Sequence, residues 1–245
     1  MTITHAASGA HPDLRPFTDT ELLEAFHGGG SFSKHLLTVY SMAVATNAQT
    51  ILDLGIGLST KALRLAASKT GGTVYSCDMD AERYGYLLDS QDEHWKLSLV
   101  PSEKLLRDVA APLDFVLHDC AHDFFQVKMD LEIILPKMRT YGLICIHDTQ
   151  QFNLNHDMLL AVREAAAGWQ ISLVTLPYAC GLTILRVEKG NFPPAEIDHE
   201  RLPDGSPDTK ATPFPMNFGE AELTSANSSL LRWARWRLRK IVKGY

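Results

Sequence analysis

The chain has 245 residues, 45% of them hydrophobic and 21% charged, with a formal net charge of −6. This composition supports one sizeable core and excludes a wholly disordered chain or a small disulfide scaffold. The charge is uneven: residues 1–228 carry −12, and residues 229–245, with six basic and no acidic side chains, carry +6.

An acidic body argues against nucleic acid as a partner. No apolar run reaches the roughly 20 residues that a membrane span needs. The first 17 residues lack the basic-then-apolar order of a secretory signal. Cys77, Cys120, Cys145 and Cys180 show no CxxC spacing. They are expected as reduced thiols in a cytoplasmic protein.

Residues 1–17 read as a mobile arm. Residues 18–46 read as helical, with Thr18 or Asp19 capping ELLEAF and a break at Gly28–Gly30. A regular alternation then begins. Strands are expected at 50–54, 73–77, 95–100, 113–118 and 142–147, with helices at 59–69, 81–91, 102–110, 123–138 and 155–168. ISLVTL (171–176) and GLTILRV (181–187) follow as two strands joined by PYAC, which predicts an antiparallel hairpin. Five strands separated by helices imply a parallel sheet with right-handed crossovers. The terminal hairpin distinguishes this layout from a dinucleotide-binding dehydrogenase, whose sixth strand is parallel. Residues 188–228 read as an irregular Pro-rich and polar extension.

Between the first strand and its helix lies Asp53-Leu54-Gly55-Ile56-Gly57-Leu58-Ser59. Gly55 and Gly57 let the backbone turn tightly and let a ligand approach the peptide groups. Ser59 is a candidate N-cap. Asp78 ends the second strand, where a carboxylate can accept both hydrogen bonds of a ribose diol. Ser102, after the third strand, is a candidate for an adenine edge or for the cap of its own helix. The plain alternative is that the glycines only make a turn and Asp78 only caps a helix.

Strand four runs into His118-Asp119-Cys120-Ala121-His122, and strand five into His147-Asp148-Thr149. In an open parallel sheet, ligands bind at the carboxyl ends of the strands. Asp119, His147 and Asp148 are therefore candidate ligands for one divalent cation, Mg²⁺ or Mn²⁺. His122 is the candidate general base. Strand alternation turns His118 away from Asp119, toward a structural role.

Together ILDLGIGLST, CDMD, DFVLHDCAHDFF and GLICIHDT resemble class I S-adenosylmethionine-dependent methyltransferases, with the small-molecule O-methyltransferases, catechol-type and sugar or natural-product enzymes, as the nearest subgroup in pattern. The resemblance covers about residues 20–187. It implies a Rossmann-like α/β fold, a seven-stranded sheet of order 3-2-1-4-5-7-6 with strand 7 antiparallel and helices on both faces. It implies that Gly55 and Gly57 pass under the methionine part of the cofactor, with Asp53, Ser59 and Asp119 beside it. Asp78 then binds the ribose and Ser102 lies near the adenine. It also implies metal at Asp119 and Asp148, and places His122 where catechol-type enzymes carry a lysine base. Thr149 departs from the asparagine usual after the second aspartate, which puts the full catechol-type coordination in doubt. The expected activity is metal-assisted O-methylation of a small hydroxylated molecule, with a non-catalytic cofactor-binding scaffold as the alternative.

Residues 229–245 fit a basic amphipathic helix. Membrane-peripheral anchoring, docking on an acidic body of this or a second chain as in a homodimer, and a solvated helix all remain open. Phe32, His35, Phe152 and Tyr178 are open candidates for lining an acceptor pocket, and the sequence assigns none of them.

Overall fold

The computed structural model describes residues 12–150 and 158–195. Its centre is a seven-stranded sheet of order β3-β2-β1-β4-β5-β7-β6. The strands are β1 (Thr50–Leu54), β2 (Thr73–Cys77), β3 (Trp95–Ser98), β4 (Leu113–His118), β5 (Met138–His147), β6 (Ile171–Leu176) and β7 (Leu182–Val187). β1 to β5 pair in parallel, and β7 runs antiparallel between β5 and β6. The fold is the one expected.

Parallel strands covered on both faces are largely apolar. In β4, every residue of Leu113–His118 is buried. Alternation sends Ile51, Phe115 and Leu117 to one core and Leu52, Leu54 and Val116 to the other. The first core takes Leu22 of α1 (Asp19–His27), Leu36 and Val39 of α2 (Leu36–Ala45) and Leu63 of α3 (Leu58–Thr70). The second takes Leu105 and Leu106 of α5 (Ser102–Asp108), Leu131 and Ile134 of α6 (Phe124–Ile134) and Val162 of α7 (Met158–Ala165). A short α4 (Ala81–Tyr84) lies between β2 and β3.

Several boundaries differ from the sequence reading. The expected 81–91 helix is four α-helical residues followed by a 3-10 stretch at Gly85–Ser90. Pro136 ends the α-helix after β4 earlier than expected, inside a 3-10 turn (Leu135–Lys137). β5 starts at Met138 rather than at 142, because Arg139 bridges to Phe192 and keeps the chain extended. Thr18 is the cap of α1: its Oγ1 accepts the Glu21 N–H (3.2 Å), while Glu21 Oε2 accepts the Thr18 N–H (2.8 Å).

Residues 12–17 were expected in a mobile arm, but they pack. Leu14 and Phe17 are buried in the first core. The reason is Arg64, whose guanidinium sits over Trp95 and donates to the Leu14 carbonyl (2.6 Å) and to Asp92 (2.8 Å). The extension is likewise pinned at its start, where Gly190 N–H donates to Thr140 Oγ1 (3.1 Å). Its remainder, the basic segment 229–245, residues 1–11 and Phe152 lie outside the described residues. Among the described residues, no helix is long and apolar enough to cross a membrane. All four cysteines are free.

Candidate active site

The carboxyl ends of β1 to β5 form one edge, and the candidate residues hang from it. Gly55, just past β1, has φ +106. A Cβ there would lie 2.6 Å from the Asp119 carbonyl oxygen. Only glycine accepts both that conformation and that contact. The Asp119 N–H donates to the Leu54 carbonyl (2.8 Å), so the turns after β1 and β4 are held together.

Gly57, in extended backbone, is the N-cap of α3. Ser59 is therefore a buried residue inside the first turn and not the cap. The capping hydroxyl is that of Thr60, which accepts the Gly57 N–H (3.0 Å) and donates to Asp53 Oδ2 (2.7 Å). Ser76 also donates to Asp53 Oδ2 (3.0 Å). Asp53 is fully buried, and its Oδ1 has no hydrogen bond. Burial pushes its carboxyl up to about 7 against these two hydroxyls, with Asp119 and Asp78 adding to the rise.

A cleft of about 340 Å³ opens beside this turn, and its walls include Gly55, Asp78, Ser102, Asp119, Cys120 and Gln126. Asp53, Gly57 and Ser59 lie outside that lining; Asp53 and Ser59 are buried and Gly57 is half-buried. Asp78 Oδ2 accepts the Ile56 N–H (3.3 Å) and Oδ1 accepts the Asp80 N–H (2.9 Å). Each oxygen keeps a second acceptor position, as a diol requires.

Ser102 is the first residue of α5 and caps nothing; Pro101 stands at the N-cap. Its hydroxyl donates to Asp130 Oδ2 (2.9 Å). Asp130, inside α6 and fully buried, also binds His118 Nε2 (3.0 Å) and Gln126 Nε2 (2.9 Å). Burial opposes charging His118, but the Asp130 carboxylate and the nearby Cys120 outweigh it and push the imidazole up to about 10. Gln126 and Asp130 were missed from sequence. Their signal was two polar residues four apart on one helix, a spacing that puts both on the same face.

The ends of β4 and β5 bring the other candidates together. His147 Nδ1 lies 3.0 Å from Asp119 Oδ1 and 3.2 Å from Asp148 Oδ1. His122 Nε2 lies 3.5 Å from Asp119 Oδ1 and 3.3 Å from Asp148 Oδ2. Burial raises Asp119, yet bonds to His122 and His147 outweigh it and hold the carboxyl below its usual range. Burial lowers His147, yet Asp119 and Asp148 outweigh it and raise the imidazole. Asp148 adopts φ +58, a left-handed conformation costly for a side chain. Its Oδ1 is buried without a hydrogen bond.

One ligand atom each from Asp119, His147 and Asp148 lies within 4.8 Å of the other two. An octahedral Mg²⁺ with bonds of 2.0–2.1 Å needs donors about 2.9 Å apart. The 3.0 Å contact, a hydrogen bond, and the 3.2 Å contact are close to that separation, and two carboxylates with one imidazole form a donor set that a divalent cation can take. Thr149 does not join it; its hydroxyl accepts from Thr183 Oγ1 (2.8 Å).

Aromatic rings cover the cluster from the other side. Phe32 packs on His147 with centroids 4.7 Å apart, and His35 packs edge-on at 5.4 Å. Tyr178 stacks on His35 at 5.0 Å, and His35 Nε2 bonds the Ala179 carbonyl (3.1 Å). Three of the open pocket candidates are thus gathered around His147.

Residues 52–149 match the family model of a methyltransferase domain. No curated protein matches the chain in sequence. Among solved structures, a Staphylococcus aureus protein assigned as a caffeoyl-CoA O-methyltransferase is similar at 14% identity and TM-score 0.53, over 69% of this chain and 88% of that one. A Klebsiella pneumoniae protein assigned as an O-methyltransferase is similar at 16% identity and TM-score 0.51, over 70% and 91%. The O-methyltransferase from Bacillus cereus in complex with SAH is similar at 14% identity and TM-score 0.50, over 69% and 89%. At these identities the likeness establishes a shared fold.

Proposed function

We propose that this protein is an S-adenosylmethionine-dependent O-methyltransferase. Its acceptor would be a small hydroxylated molecule, a sugar or a natural-product intermediate, with a divalent cation at Asp119, His147 and Asp148. One observation carries the reading: Asp119 belongs to the cleft wall and to the acidic–imidazole cluster at once. A methyl donor in the cleft and a hydroxyl at the cluster meet at that side chain. The methyltransferase-domain match over 52–149 and the SAH complex of the similar Bacillus cereus fold support the donor.

When bound, S-adenosylmethionine supplies a methyl group already activated on a sulfonium. The protein's share is binding, orientation and proton removal. Gly55 brings peptide backbone to the cleft, and Asp78 offers two acceptors to the ribose diol. Asp119, His147 and Asp148 would hold Mg²⁺ or Mn²⁺, which lowers the pKa of a bound hydroxyl. His122 is the most open of the four cluster side chains, 39% exposed, and is the group placed to take that proton. Fixing acceptor and donor in line is worth several kcal/mol by itself, about 7–11 in the best intramolecular cases.

The test is SAH formation from S-adenosylmethionine with a panel of sugars and phenols, with and without a chelator. Acceptor-dependent turnover that the chelator abolishes and Mg²⁺ or Mn²⁺ restores is expected. Turnover indifferent to the chelator would remove the cation from the mechanism. SAH binding without turnover on any acceptor would favour a non-catalytic scaffold.

A further inference from the structure

Among the described residues, two groups of side chains bring three metal-ligating atoms within 4.8 Å of one another. One is the Asp119, His147 and Asp148 cluster. The other is His118, Cys120 and Asp130, which the proposed reaction does not use. The chain alternates at this point. Asp119 turns to His147, while His118 and Cys120, two residues apart, turn together to the opposite face, where α6 presents Asp130.

The two donor sets differ in kind. The first holds two carboxylates and an imidazole. The second has a thiol in place of one carboxylate, and sulfur favours Zn²⁺ and its heavier relative Cd²⁺ over the oxygen-seeking Mg²⁺ and Mn²⁺. The distances suit a tetrahedral ion. Bonds of about 2.3 Å to sulfur and about 2.0–2.2 Å to nitrogen and oxygen put the donors about 3.4–3.6 Å apart. His118 Nε2 lies 3.0 Å from Asp130 Oδ2 and 3.9 Å from Cys120 Sγ. An ion between them needs the first contact to open and the second to close by a few tenths of an ångström. Cys120 is exposed, so its side chain can make the second move without repacking a core.

Access is from the cleft. His118 and Asp130 are fully buried, and Cys120, the third donor, belongs to the cleft wall. Three protein donors leave a tetrahedral ion one position for water or another small ligand. An ion held by Cys120 therefore stands at the wall that Gly55, Ser102 and Gln126 share.

We propose that His118, Cys120 and Asp130 form a soft-metal site, separate from the cation cluster, that takes Zn²⁺ or Cd²⁺ and closes the cleft to its nucleoside ligand when filled. Cys120 and His118 each give up a hydrogen to solvent as the ion binds. The metal site stands on its own donors; the closing of the cleft rests on the proposed cofactor.

The test is titration of the full, reduced, chelator-stripped chain with Cd²⁺, followed by the ultraviolet charge-transfer band of a cadmium–thiolate bond. One equivalent is expected to raise the band. Zn²⁺ should displace it, and excess Mg²⁺ should not. Cys120→Ser, an exposed and near-isosteric change, should lose the band, whereas Cys180→Ser, beside the other cluster, should keep it. Calorimetry then reads S-adenosylhomocysteine binding with and without Zn²⁺. At zinc ten times its dissociation constant, mass action should weaken that binding about 10-fold in the wild type. In Cys120→Ser it should weaken far less, and zinc held at the Asp119 cluster is common to both proteins. No band in the wild type, a band that survives Cys120→Ser, or one that Mg²⁺ displaces overturns the metal site. A band with S-adenosylhomocysteine affinity indifferent to zinc overturns the closing of the cleft. A chain that shows the Cys120 band but binds no S-adenosylhomocysteine even without metal overturns the cofactor reading and leaves the metal site standing.

Discussion

His118-Asp119 and His147-Asp148 are the same dipeptide at the ends of neighbouring strands, and the fold uses them in opposite ways. The register explains the difference. β4 and β5 pair with His118 opposite Ile146, so the two dipeptides are offset by one residue. A one-residue offset exchanges the faces of a sheet. Asp119 therefore meets His147, and His118 is turned to the other face, where α6 supplies Asp130. The His118 side is the more buried: Asp130 takes three donors and is shut off from water, while His118 Nδ1 is buried without a hydrogen bond. The His147 side stays open, with a buried Asp148 Oδ1 that contacts His147 at 3.2 Å without a hydrogen bond, a left-handed Asp148 backbone and a partly exposed His122. The difference is one of access: the buried side is suited to holding shape, and the more exposed side to the Mg²⁺ or Mn²⁺ proposed there.

That contrast is breakable from its closed side first, where the effect on stability should be largest. His118→Leu leaves the Asp130 carboxylate buried with one charged partner gone. Loss of one member of a buried pair costs about 3–5 kcal/mol. Chemical denaturation should show a shift of that order. A shift below about 1 kcal/mol would mean that the pair is not a structural pillar.

On the open side the order reverses, and function should suffer more than stability. Asp119→Asn removes a charge from the cluster without removing its shape. Methyl transfer should fall by about 100-fold or more, comparable to the loss of a general acid–base or metal-held group. The same variant should lose less stability than His118→Leu. Equal losses of stability with intact turnover would place Asp119 on the structural side of the comparison.

Asp53 tests the space between the two. Its Oδ2 is doubly bonded and its Oδ1 bonds nothing. The folded carboxyl, raised to about 7, stands above an unfolded value near 4. Between those values the folded chain holds a proton that the unfolded chain has lost. Stability from this group is thus fully present at low pH and declines as pH rises toward 7. Asp53→Asn should flatten that decline in denaturation midpoints measured from pH 4 to 8. An unchanged slope would show that Asp53 is ionised at no cost.

Much of this architecture was legible in the sequence, and the limits have physical causes. Alternation of strand and helix periods gave the sheet, and the PYAC junction gave the antiparallel end. Polar residues at or directly after the strand ends marked Asp78, Asp119, His147 and Asp148 as candidates, because ligands of open parallel sheets bind at that edge. Strand alternation even separated His118 from Asp119. The one-residue register between β4 and β5 was not legible, since nothing local encodes pairing between strands twenty residues apart. Gln126 and Asp130 escaped for a related reason: their meaning lies in Ser102 and His118, which only the tertiary fold brings to them. Residues 12–17 looked like a loose arm because their anchor, Arg64, is fifty residues away.

The smallest effect sharpens the comparison by standing outside it. Thr18 caps α1 by local bonds alone, to the Glu21 backbone and side chain, with no tie to either His-Asp pair. Thr18→Ala should cost about 1 kcal/mol, the usual value of an N-cap. Turnover under stable conditions should be unchanged, because α1 reaches the site only through the segment carrying Phe32 and His35, which the first core holds in place. Glu21, held at about 2 chiefly by Arg15 and then by Thr18, is part of the same cap. Its stabilisation is present above the unfolded carboxyl value and is lost as pH falls toward 2. A thermal scan of Thr18→Ala beside a turnover assay separates the cases. A drop in turnover at unchanged fold would mean that the N-terminal helices set the geometry of the open cluster, and that its boundary extends beyond the strand ends.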